Sequence, residues 1–318
     1  MTGMRKRLPM RRAAARPLRP RGYVLLFVLG LLAVVATVVL GSSVGLRLDT
    51  QLLTHEKTRL RQHYALQGAA QEVAAQLAIT QAVDALRLKP DDALLRDWPL
   101  WRPDAGEQRV RLDGLSVQVR LHDVSGLPDA NLLTQAEWQR LLLLAGAANA
   151  DSAQRLATQL YALRQQLAAL RGGRGFTSLQ ELLQWREIPA ALAYGDPARE
   201  LPGLGALVVV GTGSKRVNLD RTPLPVIQAL GANVTPEHLR QLAALRAAGP
   251  IPVQQAQLWL QGTGLDAYPP GGPVMAVQAR LRMADAAASG SELVALIAGE
   301  NGRFAVVDQW PDPGIPGR

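Results

Sequence analysis

From Gly22 to Leu46 the chain contains no charged residue: GYVLLFVLGLLAVVATVVLGSSVGL. As a helix this run would reach roughly 37 Å at about 1.5 Å per residue, more than the about 30 Å of a bilayer's hydrocarbon core. Ahead of it, residues 1–21 carry Arg5, Lys6, Arg7, Arg11, Arg12, Arg16, Arg19 and Arg21 and no acid. A basic flank on one side only predicts a single crossing, with the N-terminus in the cytoplasm and everything after Leu46 on the far side. The alternative is a buried core helix, but a run that is apolar all round and follows eight positive charges fits a membrane segment better. The same leader accounts for nearly all of the net charge of +9, so the sequence pI near 10.5 is no argument for nucleic acid. The absence of cysteine excludes a disulfide framework, cysteine-ligated zinc, an iron–sulfur cluster and a thiol nucleophile.

The apolar run has two possible fates. A secretory signal has an apolar region of about 7–15 residues followed by a small-residue cleavage site. Val39-Leu40-Gly41 would serve as that site, but the run is long for a signal. The other fate is cleavage between Gly22 and Tyr23, which removes the basic leader and retains the apolar helix. Arg21-Gly22-Tyr23 before an unbroken apolar series resembles the processing site of type IV prepilins and type II secretion pseudopilins. In those families the fifth mature residue is usually Glu; here that position is Phe27. An acid at a helix centre in the membrane costs about 2.5–3.5 kcal/mol on insertion scales. An assembling subunit can offset this by pairing its Glu with the free amine of the subunit already in place. A subunit with nothing above it needs no such pair, and the K-type minor pseudopilins are the ones that characteristically lack the Glu.

Downstream, residues 51–88 place Leu52, Leu53, Leu60, Tyr64, Leu66, Val73, Leu77, Val83 and Leu86 at helical spacing, and Pro90 stops the run. Together with the apolar segment this predicts one interrupted helix from about Tyr23 to Leu88, with Gly41, Gly45 and Gly68 as bend points. Residues 109–112 and 115–122 then alternate, with Val110, Leu112, Leu115, Val117, Val119 and Leu121 on one face. Asp113-Gly114 between them is a strong hairpin signal. Next comes Asp123-Val124-Ser125-Gly126-Leu127-Pro128-Asp129-Ala130-Asn131-Leu132, similar to the D-E-S-G-x-x-n-x-N-L motif of K-type subunits. Asp123, Ser125, Gly126, Asn131 and Leu132 match; Val124 replaces an acid, and Pro128-Asp129 departs. Short polar residues with Gly and Pro satisfy their own backbone in turns, so a structural role is expected.

Residues 134–145 and 151–170 read as helices, and Gly172-Gly173-Arg174-Gly175 breaks the second. Ser178 with Glu181 three residues on reads as a capping box. The segment 176–189 is similar to the K family's "EL" segment. Residues 216–230, with Asn218, resemble its N-V-N-T-A-P-x-x-V-L-x-A-L, and 239–260, with Arg246 and Pro250, resemble its closing pair of helices. These motifs are individually weak but stand in the family's order over roughly residues 20–310. At the C-terminus, 274–283, 292–298 and 303–310 alternate as strands, with a turn at Asn301-Gly302.

The expected fold is therefore α+β. A long N-terminal helix, half in the membrane and half a stalk, packs on one face of an antiparallel sheet, and a large all-helical insertion interrupts a pilin-like head. The expected segments are a leader (1–22), an assembly helix (23–46), stalk and first strands (47–125), helical insertion (126–272) and C-terminal strands (273–318). The resemblance implies a tip subunit that helps initiate the pseudopilus for export of folded proteins. It would sit in the bacterial inner membrane with its head in the periplasm. Its implied partners are the I- and J-type minor pseudopilins, the pseudopilus, the inner-membrane secretion platform and prepilin peptidase. K subunits usually bind calcium through an Asp-rich insertion, but residues 151–176 hold one acid, Asp151, against about 6–8 oxygen ligands wanted, so calcium is not carried over.

The competing reading is a signal-anchored periplasmic binding protein, with helix-hairpin-helix-like binding of DNA through residues 215–250. Five basic residues there (Lys215, Arg216, Arg221, Arg240, Arg246) face two acids (Asp220, Glu237), and no aromatic residues interleave, so nucleic acid is not expected. Four histidines (His55, His63, His122, His238) form no H-E-x-x-H pattern, and there is no G-x-S-x-G. Gly211-Thr212-Gly213-Ser214-Lys215 imitates a phosphate loop without the helix that should follow, and Asp91-Asp92 reads as a solvated turn. No cofactor or catalytic activity is expected.

Overall fold

The computed structural model describes residues 23–86, 100–103, 105–272, 274–284, 292–300 and 302–311. The basic leader with Gly22, the pair Asp91-Asp92, Pro90 and residues 312–318 lie outside these. Packing divides the chain into two units at Leu60/Arg61, a point inside one continuous helix, α1 (Tyr23–Ala85).

In the first unit the described side chains from Leu25 to Leu40 are uncharged and exposed on α1. Among the described residues no helix is long and apolar enough to cross a membrane. The side chains of Tyr23, Val24 and 41–46, which belong to the same uncharged run, lie outside the description. Helical hydrogen bonding continues through Gly41, Gly45 and Gly68, so the expected interruptions are absent. Within an otherwise well-formed ladder, one Gly costs only about 1 kcal/mol relative to Ala.

The second unit is α+β. Its sheet has β1 (Glu107–Leu112), β2 (Leu115–Asp123), β3 (Ala276–Met283), β4 (Glu292–Glu300) and β5 (Arg303–Pro311), in that order, with every neighbour antiparallel. Asp113 (φ 47°) and Gly114 (φ 75°) form the tight β1–β2 turn, whose two left-handed residues match the twist of the strands. β2 and β3 are neighbours although residues 124–275 separate them in sequence, so the helical segment is inserted between adjacent strands.

On the inner face of the sheet α1 lays down Ala65, Leu66, Ala69, Ala70, Val73, Ala74 and Leu77, spaced three and four apart. They pack on Val117, Val119 and Leu121 of β2, Val277, Ala279 and Leu281 of β3, and Leu293, Ala295 and Ile297 of β4. Small residues bring the helix close. At Gly68 a Cβ would lie 3.2 Å from Leu112 Cδ1, so this turn of α1 passes close to β1.

The outer face departs from the expectation of one buried face. Ala276, Val294, Leu296 and Trp310 are buried in a second core, shared with the inserted helices. Those helices are α2 (Gln135–Ala145), α3 (Ala150–Leu170), α4 (Leu179–Leu183), α5 (Ala190–Tyr194), α6 (Leu224–Leu230), α7 (Pro236–Ala248) and α8 (Val253–Leu260). The apolar residues on both faces of β4 require cover on both sides, and the insertion supplies the second layer. α2 begins with a full capping box between Thr134 and Glu137. The box expected at Ser178 is half formed. Ser178 Oγ accepts from Glu181 N at 3.0 Å, but the Glu181 carboxylate turns to Thr177 N at 2.8 Å and to Arg171 at 2.8 Å. That hydrogen-bonded Arg171 holds the Glu181 carboxyl below its usual range, against the opposing effect of burial.

Candidate functional site

The motif residues converge where the sheet meets the insertion. Asp123 ends β2 and folds its carboxylate back, with Oδ1 accepting from Ser125 N at 2.9 Å and Oδ2 pairing with Arg221 Nη1 at 3.1 Å. Ser125 is buried, and its Oγ donates to Ala276 O and accepts from Met275 N and Ala276 N. One hydroxyl thus ties the chain leaving β2 to the start of β3. The backbone needs this help because it has left the ladder, and a buried N–H or C=O without a partner is costly.

Gly126 follows against the second motif. Its carbonyl accepts from Thr222 Oγ1 at 3.1 Å, and a Cβ there would collide with Thr222 Oγ1 and Asn218 N. Glycine is required by this close approach rather than by a left-handed backbone. Thr222 Oγ1 also accepts from Asn218 N at 2.8 Å, while Asn218 Oδ1 accepts from Asp220 N at 2.9 Å. Both are local side-chain turns that fold 218–222 into a compact platform before Pro223. Arg246 of α7 clamps the platform from behind, donating from Nε to Leu219 O at 2.7 Å and from Nη2 to Thr222 O at 2.6 Å. Burial pushes its guanidinium down from the ordinary value, opposed by the nearby Asp220.

Asn131 works on another seam. Its side-chain amide pairs with the backbone of Phe176, Nδ2 to O at 2.9 Å and N to Oδ1 at 2.8 Å, as a strand neighbour would. Gly175 is needed beside it, since a Cβ would strike Asn131 Oδ1.

The residue that sequence reasoning treated as a departure, Asp129, is the most deeply engaged. It is 2% exposed. Its Oδ1 accepts from Asn131 N at 2.9 Å, and its Oδ2 accepts from Gly211 N at 3.0 Å and Gly213 N at 2.7 Å. The phosphate-loop look-alike at 211–215 is thus a nest of backbone N–H groups closed around the chain's own carboxylate. Its Lys215 points instead to Glu137, at 3.1 Å. The signal lay in Pro128-Asp129 two residues before Asn131, an Asx-type turn, but its partners lie over 80 residues away.

Other candidates stay apart. Tyr23 opens α1 and Phe27 is exposed on it, while Gly22 lies outside the described residues. His55 and His63 lie on α1, His122 on β2 and His238 on α7. Among the described residues no three His, Asp or Glu groups gather as a metal site. The segment 151–170, where the resemblance would put calcium, lies within the amphipathic α3, and Asp151 sits in that helix's first turn; these residues do not fit the ion. The turn before α7, the DNA candidate, is closed by its own box, with Thr235 Oγ1 accepting from His238 N and His238 Nδ1 from Thr235 N. A cleft of about 1070 Å³ borders the junction, but its carboxylates are engaged: Asp84 with Arg102, Asp123 with Arg221, and Asp220 with Gly271 N.

What the arrangement does chemically is hold two layers together. It reads as a polar latch in which motif side chains replace regular backbone pairing. No protein-family model matches the chain, and no curated protein does. Among solved structures the chain is similar to one in the crystal structure of the GspK-GspI-GspJ complex from the enterotoxigenic Escherichia coli type 2 secretion system. The two are 15% identical, the match covers 80% of this chain and 99% of that one, and the TM-score is 0.46.

Proposed function

We propose that this protein is a minor pseudopilin of a type II secretion system, of the K type. It is cut after Gly22, held in the inner membrane by its first helix, and stationed at the pseudopilus tip with I- and J-type partners. The observation that carries this reading is α1. One helix begins at Tyr23, bears exposed apolar side chains from Leu25 to Leu40, and later packs Ala65–Leu77 onto an antiparallel sheet. Sixteen consecutive exposed uncharged residues demand cover, by lipid first and by neighbouring helices after assembly. Phe27 in place of the usual Glu suits a subunit that has none above it, and an insertion that widens the head is tolerated at a filament end. The latch gives two of the resembling motifs a shared structural role, since Thr222 donates to Gly126 O and Arg221 pairs with Asp123.

In this reading the protein is not an enzyme, and its work is packing. Mass spectrometry of the membrane form, expressed with prepilin peptidase, tests it. A mature N-terminus at Tyr23 is expected. An N-terminus at Ser42, or an uncut leader, overturns it. Co-purification of the cut form with I- and J-type subunits is expected as well.

A further inference from the structure

The outward side chains of the sheet stand in rows across its strands. In one row Arg120 of β2, Arg280 of β3, Val294 of β4 and Trp310 of β5 are in register; in another His122, Gln278 and Leu296 are. Each row therefore runs from polar to apolar. All seven residues line a cleft of about 640 Å³ between the sheet and the insertion. The insertion faces them with Leu179 and Leu183 of α4 and Tyr194 of α5. Val294, Leu296, Leu179 and Leu183 are buried, and Arg280, Gln278 and His122 are half-buried, so the cleft is a wedge entering the fold.

Edge protection does not explain Arg280, because β3 is the central strand of five and is half roofed here. Glu107, opposite Arg120 on the edge strand, does not line the cleft. A plainer explanation is that the layers stop closing where the sheet turns polar, since leucines shut onto a guanidinium would strip it of water. That accounts for the opening, and it leaves a wedge with one apolar wall and one polar wall. Among the described residues the one acid of the lining is Asp123, whose oxygens are taken by Ser125 N and Arg221. Guanidinium groups donate and never accept, so the polar wall calls for an acceptor of negative charge. Arg280, His122 and Arg221 keep contacts within the fold, and the sign of the wall they form is what counts. Small-molecule sites have volumes of about 300–1,000 Å³ and pair apolar walls with a few convergent polar groups, as this wedge does.

We propose that this cleft binds a small organic acid, with its carboxylate at Arg280 and Arg120 and its apolar body along Leu179, Leu183 and Tyr194. The inference goes beyond the pseudopilin reading and does not depend on it.

The test uses the full chain in lipid nanodiscs and 4-phenylbutyrate as probe, titrated by saturation-transfer NMR with the signal of empty nanodiscs subtracted. 4-Phenylbutyramide lacks the charge and acetate lacks the apolar body, so each is expected to bind about tenfold more weakly. Arg280→Gln is expected to weaken the acid about tenfold and the amide less than about twofold, a split that loss of structure would not produce. Arg120→Gln, at the exposed mouth, should weaken the acid about threefold, and stands in if circular dichroism shows that Arg280→Gln fails to fold. Tyr194→Ala should weaken acid and amide alike, by about threefold. Equal binding of acid and amide, no saturable signal above empty nanodiscs, or unchanged acid binding in both arginine variants overturns the proposal. Tighter, competing binding of a short peptide ending in Val-Leu with a free carboxylate also overturns it, in favour of a polypeptide end as the occupant.

Discussion

The two cores of the second unit are built on different physics. Between α1 and the sheet, the helix contributes mainly small side chains at regular spacing, Ala65, Ala69, Ala70, Val73 and Ala74 with Leu66 and Leu77, against Val117, Val119, Leu121, Val277, Ala279 and Leu281. Most of the backbone there runs in helix or ladder, so packing need only be apolar and close. Between the insertion and the sheet, large residues such as Trp138, Leu141, Leu142 and Leu160 fill the space. Much of the connecting backbone there belongs to no ladder, and Asp123, Ser125, Asp129, Asn131 and Asn218 supply its hydrogen bonds. A regular core tolerates exchange of one apolar residue for another of similar size. An irregular one depends on particular polar atoms.

That contrast can be broken in the order of the effects it implies. Trp138→Ala removes the largest fully buried side chain and is expected to cost about 3–5 kcal/mol in urea unfolding followed by near-ultraviolet circular dichroism. Next, Asp129→Ala leaves three backbone N–H groups unpaired and should cost about 3 kcal/mol, with hydrogen exchange accelerating first at Gly211 and Gly213. If it costs less than about 0.5 kcal/mol, the irregular core does not need its latch. Ala70→Leu overfills the regular core and is expected to cost about 1–3 kcal/mol, felt at α1 and the β2–β4 face. A larger loss there than for Asp129→Ala would reverse the ranking.

The smallest effect concerns pH, and two carboxylates near α4 have opposite signs. Glu181 is held low by Arg171, so its stabilisation is complete above the ordinary carboxylate pKa and fades as pH falls through the lowered value. Asp308 is raised, chiefly by burial, although Leu179 N and Gln309 N donate to it and oppose the shift. Its folded form binds the proton more tightly, so stability falls as pH rises from the ordinary value to the raised one. Asp308→Asn should remove that downward slope in a series of melts, and Glu181→Gln should remove the acid-side loss. An unchanged profile in both would mean that neither group senses the fold.

Much of this molecule was legible in order along the chain. The β1–β2 hairpin could be read because alternation and Asp113-Gly114 are local, and α2 because its start carries its own cap. The latch was legible only as motifs. Nothing near Asp129 says that its partners are Gly211 and Gly213, so a glycine-rich loop looked like a phosphate site and Pro128-Asp129 like an interruption. Another feature of Gly68 was out of reach for a related reason: its close neighbour is Leu112, on a strand more than forty residues away.

The sequence by itself determined the elements and which side of each is apolar, because periodicity and turn chemistry act between near neighbours. It also determined the uncharged N-terminal run, whose length and basic flank are local facts. Only the tertiary structure decided that the sheet is buried on both faces along β4. It alone closed the glycine-rich loop on an internal carboxylate. Both outcomes come from contacts between segments far apart in the chain, where a side chain's role is set by what the fold brings against it.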